Sequence, residues 1–126
     1  MAPSQSQPQD AFTIERRGDL TVISANPILE SIAIGLEEQA ADLIFEPLRR
    51  DPEPLLVFDL SQVDYFGSVF LGVLLRCWKL TQAKGGTMAL AGVSARGKEL
   101  LHLTSLDFVW PIYADRREAV EALLSD

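Results

Sequence analysis

The sequence predicts an α/β fold: a mixed sheet of about four to five strands with helices packed on it. Three observations carry this. Short runs rich in β-branched and other apolar residues recur along the chain and read as strands. Between most of them lie segments with helical apolar spacing or helix start signals, and strands alternating with helices imply a largely parallel or mixed sheet. The composition, 48% hydrophobic and 23% charged over 126 residues, is enough for one well-filled domain.

The elements follow in order. Residues 1–10 are rich in Ser, Gln and Pro and read as a disordered tail, so the domain is placed at 11–126. Phe12 to Arg16 and Leu20 to Ser24 read as strands joined at Gly18-Asp19, a hairpin turn signal. Ala25 to Gly35 opens as a turn at Asn26-Pro27, and Ile28, Ile32 and Ile34 suit either strand or helix. Leu36 to Arg50 reads as a helix, with Leu36, Ala40, Leu43, Ile44 and Leu48 on one face and Pro47 bending or ending it. Leu55 to Leu60 is apolar except for Asp59, as in a central strand covered on both faces. Ser68 to Ala83 is the next helix, stopped by Lys84-Gly85-Gly86. Thr87 to Ala91 is a strand, and Ser94 caps a helix reaching His102 or Thr104. Phe108 to Tyr113 reads as the last strand, with Pro111 putting its far end at an edge. Asp115 caps a final helix from Arg116 to Leu124.

The stretch from Val57 to Leu75 holds the most information. A buried strand and a short loop lead to an abrupt helix start at Gly67-Ser68. Ser68 thus sits at the amino end of an almost wholly apolar helix, where unpaired N–H groups and the helix dipole tolerate a phosphate. Helix-start chemistry alone offers a plainer role, a serine N-cap.

The ordered set of segments resembles the STAS domain, the fold of bacterial anti-sigma factor antagonists. Phe58-Asp59-Leu60-Ser61 and Val63-Asp64-Tyr65-Phe66 match the family's strand and loop. Ser68, Leu71, Gly72, Val73 and Leu74 match its helix start. Gly85-Gly86, Ala91 to Ser94, Leu101 to Asp107 and Phe108 to Tyr113 resemble its later elements. Gly67, Val69 and Phe70 stand where the family motif has Asp, Ser and Gly, and Ser24 to Glu30 replaces its Gly-Glu-Leu-Asp pattern. The resemblance implies a non-enzymatic regulator in the cytoplasm. Its partner is an anti-sigma factor that is also an ATP-dependent serine kinase, and phosphorylation falls on Ser68. The helix from Ser68 is more apolar than one sheet-facing stripe requires; the excess suits core or a docking patch with Phe66, Val69 and Phe70 at its rim, and the expected partner surface is Asp64, Phe66, Gly67, Ser68, Val69 and Phe70. STAS-like domains also serve as constitutive scaffold subunits of lipid-transport or sensory complexes, which is the alternative.

Other chemistries find little support. With 18 acidic and 11 basic residues the net charge is -7, a poor match for nucleic acid or anionic lipid. The apolar run from Val69 to Leu75 is too short to span a bilayer. A single cysteine, Cys77, excludes an intrachain disulfide and reads as a buried hydrophobe. Asp59 and Asp64 suggest structural or partner-contact roles, with Asp64 bonding the loop backbone, because no His or third carboxylate converges with them. Gly-x-Ser-x-Gly does not surround Ser68, and the one histidine, His102, reads as a half-buried helix residue, so a hydrolase triad is not expected. Gly85-Gly86 and Gly92 are turn residues and not a phosphate loop, and neither cofactor nor metal is expected.

Overall fold

The computed structural model describes residues 10–31 and 35–125. The expected tail, apart from Asp10, and the positions Ile32 and Ile34 lie outside the described residues. Strands β1 (Phe12–Arg17) and β2 (Leu20–Ala25) form the expected hairpin, turned by Gly18 with φ 61°. A 3-10 turn covers Pro27–Glu30. The helical path then runs as α1 (Leu36–Ala40), a π-helical segment (Ala41–Phe45) and α2 (Glu46–Arg50). After these come β3 (Leu55–Asp59), α3 (Ser68–Ala83), β4 (Thr87–Ala91), α4 (Ala95–Leu103), a 3-10 turn at Leu106–Phe108, β5 (Ile112–Tyr113) and α5 (Arg116–Leu124).

The five strands lie in the order β1-β2-β3-β4-β5. The β1–β2 pair is antiparallel and the remaining pairs are parallel, which makes the sheet mixed, as the alternating pattern requires. Strand β3 explains its own apolar run. Leu56 and Phe58 join the larger core under α1–α4, while Val57 joins a smaller core where α5 packs through Ala119 and Val120. A strand buried on both faces loses the in-out alternation of a half-exposed one.

Pro47 does not end the helix, which runs on to Arg50. It has no N–H for the Leu43 carbonyl four residues earlier, and its ring crowds that carbonyl. The helix continues by widening, so that the Glu46 N–H reaches back five residues to Ala41 O, and α2 ends at Arg50 as the sequence suggested.

The expected strand from Phe108 to Tyr113 shrinks to Ile112–Tyr113. Its β-prone composition is overridden by the turn before it. Ser105 takes a left-handed φ of 62°, Leu106–Phe108 coil into a 3-10 turn, and Trp110 is drawn into the core at 2% exposure. Pro111 cannot donate to a ladder, although its carbonyl accepts from Leu90 N at 3.0 Å.

Candidate functional site

The loop between β3 and α3 is built from both ends. Leu60 N donates to Ala91 O at 2.8 Å and Val63 N to Leu60 O at 3.1 Å, which turns the chain off β3. Gly92 makes room for this turn: its φ is +66°, and a Cβ there would lie 2.8 Å from Ser61 Cβ. Val63 and Phe66 then plug the loop into the core, each at 2% exposure. Gly97 of α4 allows the close approach, since a Cβ on it would stand 3.2 Å from the Phe66 ring.

Two residues expected on the docking surface are corrected by this packing. Phe66 and Phe70 are core, at 2% and 1% exposure. The Phe70 ring sits 5.2 Å from Phe66, 6.2 Å from Phe12 and 6.3 Å from Phe58, centroid to centroid. The reason is helical geometry: Phe70 shares a stripe with Val73, Leu74, Cys77 and Thr81, all buried. Asp64, Gly67, Ser68 and Val69 are exposed, together with Tyr65.

Ser68 is the first residue of α3, and the N-cap is Gly67, in extended backbone with no side-chain cap. The serine cap reading therefore fails. Ser68 Oγ has no hydrogen-bond partner among the described residues. Beside it lies an open groove of about 240 Å3, in which Leu29, Glu30 and Leu36 face Tyr65, Ser68 and Val69.

Neighbouring charges fasten the loop. The Asp64 carboxylate accepts from Arg96 at 3.1 Å instead of bonding the loop backbone. Asp64 N donates to Glu30 Oε2 at 2.9 Å, and Asp64 O accepts from Ser94 Oγ at 2.7 Å. That same Ser94 hydroxyl caps α4 by accepting from Gly97 N at 3.0 Å. The Arg96 guanidinium lies 5.0 Å from the centre of the Tyr65 ring. Ser94 was legible in the sequence as a cap. Glu30, Tyr65 and Arg96 were not assigned to the site, because their meeting joins three distant segments and leaves no local pattern.

Asp59 is set apart from the Ser68 surface. It is buried, accepts from Ser61 N at 3.0 Å and pairs with Arg116 Nε at 2.9 Å. Arg116 also bonds Glu15 at 2.9 Å and the Ser24 hydroxyl, tying α5 to three strands. The Glu15 carboxyl is held below its usual range first by the hydrogen bond from Arg17, then by the charges of Arg17 and Arg116, against the opposing effect of burial. His102 is exposed and not half-buried, with Nδ1 3.0 Å from Asp107 Oδ2, and does not hydrogen-bond Ser68. Cys77 is buried as expected, and burial pushes its thiol pKa up. Among the described residues no group of His, Cys, Asp or Glu could hold a metal ion, and no helix is long and apolar enough to cross a membrane.

Comparison with known proteins agrees with this architecture. The family model for the STAS domain matches residues 2–119. An anti-sigma-B factor antagonist of Bacillus subtilis (strain 168) is 28% identical over 115 residues, covering 91% of this chain and 93% of that protein. An anti-sigma F factor antagonist of Paenibacillus polymyxa is 32% identical over 78 residues, covering 62% and 67%. The solved structure of an anti-sigma-factor antagonist (STAS) domain protein from Planctomyces limnophilus is similar with a TM-score of 0.80 at 30% identity, covering 90% of this chain and 98% of that one.

Proposed function

The chain belongs to the STAS domain family, and on that footing we propose that it is a cytoplasmic anti-sigma factor antagonist switched by phosphorylation of Ser68. Its partner is an anti-sigma factor that is also an ATP-dependent serine kinase. The antagonist itself carries out no catalysis. It offers the surface formed by Asp64, Tyr65, Gly67, Ser68 and Val69, and Phe66 and Phe70 support that surface from beneath.

The observation that carries this reading is the Ser68 hydroxyl, exposed at the first position of α3 and without a hydrogen-bond partner among the described residues. A kinase can reach it without opening the fold. The kinase transfers the terminal phosphoryl group of ATP to Ser68 Oγ, the hydroxyl proton leaves, and ADP departs. The product gains roughly -1.5 to -2 charges. Within the isolated domain the unpaired N–H groups at the start of α3 and the helix dipole favour that charge. Docking is different: the phosphate must lose its hydration between Tyr65 and Val69, with Glu30 and Asp64 nearby, so affinity falls while the fold persists.

The test uses the anti-sigma kinase from the same genome with MgATP. Intact-mass analysis and phosphosite mapping are expected to place one phosphate on Ser68 and none on Ser68→Ala. Calorimetry is expected to show Ser68→Asp binding that kinase at least about tenfold more weakly than the native protein. Labelling at another residue, with Ser68→Asp binding unchanged, would refute the switch and favour a constitutive scaffold.

A further inference from the structure

The stretch from Ser24 to Glu30 ends in a side chain that reaches the Ser68 loop. Glu30 closes the 3-10 turn and is exposed. Its Oε2 accepts from Asp64 N at 2.9 Å, across 34 residues of sequence. Among the described residues this is the only hydrogen bond that joins the turn to the loop between β3 and α3. Glu30 also shares a groove with Ser68, since both line the hollow of about 240 Å3 beside Tyr65 and Val69.

Three side chains hold Asp64, and a new negative charge acts on them differently. Ser94 Oγ donates to Asp64 O at 2.7 Å and is neutral. Arg96 Nη1 donates to Asp64 Oδ2 at 3.1 Å and is a cation, with its guanidinium also lying over Tyr65. Glu30 is the one anion of the three, and among the described residues it has no ion-pair partner. A phosphate on Ser68 brings roughly -1.5 to -2 charges into the groove that Glu30 lines. Groups on the walls of one such groove lie within roughly a Debye length, about 8 Å at physiological salt, so the repulsion is only partly screened. The Glu30 carboxylate has somewhere to go: its side chain can turn to solvent, while Leu29, buried beside it, keeps the turn in the core.

We propose that Glu30 is a charge-sensitive latch on the Ser68 loop: phosphorylation of Ser68 releases Glu30 from Asp64 N, uncouples the 3-10 turn from the loop and widens the groove between them. This rests on Ser68 as the phosphorylation site. Ser94 and Arg96 keep the loop on α4, and water takes the freed Asp64 N–H at its exposed position. The partner then meets a groove altered in shape as well as in charge.

The test is amide hydrogen exchange by NMR on the isotopically labelled full chain, with phosphoserine introduced at position 68 during synthesis. Glu30→Ala is expected to speed exchange of the Asp64 amide, because its acceptor is gone. Phosphoserine at position 68 is expected to speed it at least about tenfold in the native background. Negative charge by itself slows base-catalysed exchange, so the acceleration reports loss of the bond. Glu30→Gln keeps an oxygen acceptor without the charge, and in that background the effect is expected to fall below about threefold. Asp64 exchange unchanged by Glu30→Ala, unchanged or slowed by the phosphate, or accelerated equally in the Glu30→Gln background would each overturn the latch. No kinase enters this measurement, so failure of the kinase to label Ser68 refutes the switch reading separately from the latch.

Discussion

Replacing Phe70 with Ala tests whether the helix start is held from inside or presents an aromatic anchor to a partner. Phe70 is 1% exposed and packs against three other rings, nearest to Phe66 at 5.2 Å in an edge-on geometry. Removing a buried phenylalanine costs about 3–5 kcal/mol, and edge-on aromatic contacts add about 0.5–1.5 kcal/mol beyond buried area. The four-ring cluster gives little room for collapse, so a loss of about 4 kcal/mol is expected. Against a domain stability of about 5–15 kcal/mol this is a large fraction. With an m-value of about 2 kcal/mol/M, the urea midpoint should fall by about 2 M. Urea unfolding followed by tryptophan fluorescence measures this, since Trp78 and Trp110 both pack in or against the core. Val69→Ala is the control: Val69 is 41% exposed, and its midpoint should move by less than about 0.5 kcal/mol equivalent. A Phe70→Ala loss below about 1 kcal/mol, with no structural reason for the ring to be tolerated elsewhere, would refute the core assignment.

Other residues give further expectations. Arg116→Met strands the buried Asp59 carboxylate and Ser24 hydroxyl; with Arg116 one-third exposed, the loss should be about 2–3 kcal/mol, below the usual range for a fully buried pair. Adding Asp59→Asn should recover part of it in a double-mutant cycle, and strict additivity would show that the pair is not coupled. Glu15 has a depressed pKa in the folded protein, so its stabilising contribution is present above the ordinary carboxylate value and is lost as pH falls through the lower folded one. The melting-temperature gap between native protein and Glu15→Gln should accordingly narrow below about pH 4, and a constant gap would contradict the linkage. Cys77, buried and with its thiol pKa pushed up, should resist a thiol-labelling reagent in the native state and react once urea unfolds the chain. Rapid native labelling would show that α3 opens locally.

Much of the architecture was legible because the two periodicities are local. β3 announced itself by an apolar run with turn signals on both sides, and Ser94 and Asp115 marked two helix starts that do accept cap bonds from Gly97 N and Glu118 N. Readings went astray where tertiary contacts outvote composition. Phe108 to Tyr113 has strand chemistry, but Ser105 turns the chain and burial of Trp110 takes precedence. Pro47 was expected to bend or end the helix, and the helix instead runs on to Arg50 after a turn widened to the π form. The loop contacts of Glu30, Asp64 and Arg96 span more than thirty residues and could not be read locally.

Phe70 is a different case, because the decisive signal lay within the helix itself. Successive helical residues are rotated by about 100°, so positions 68 and 70 point to nearly opposite sides. The buried residues Phe70, Val73, Leu74, Cys77 and Thr81 follow the spacing of a single stripe. Counting apolar residues along α3 hides this stripe, since α3 meets the sheet on one side and α1, α2 and the π-helical segment on others, which leaves Leu71, Leu75, Trp78 and Leu80 partly buried as well. Once Phe70 is assigned to the core, Ser68 must face outward. The exposure of the hydroxyl and the burial of the ring are then one geometric fact. The proposed switch then has a geometric expectation: a charge added at Ser68 should weaken docking at that surface while the four-ring cluster beneath it keeps its packing.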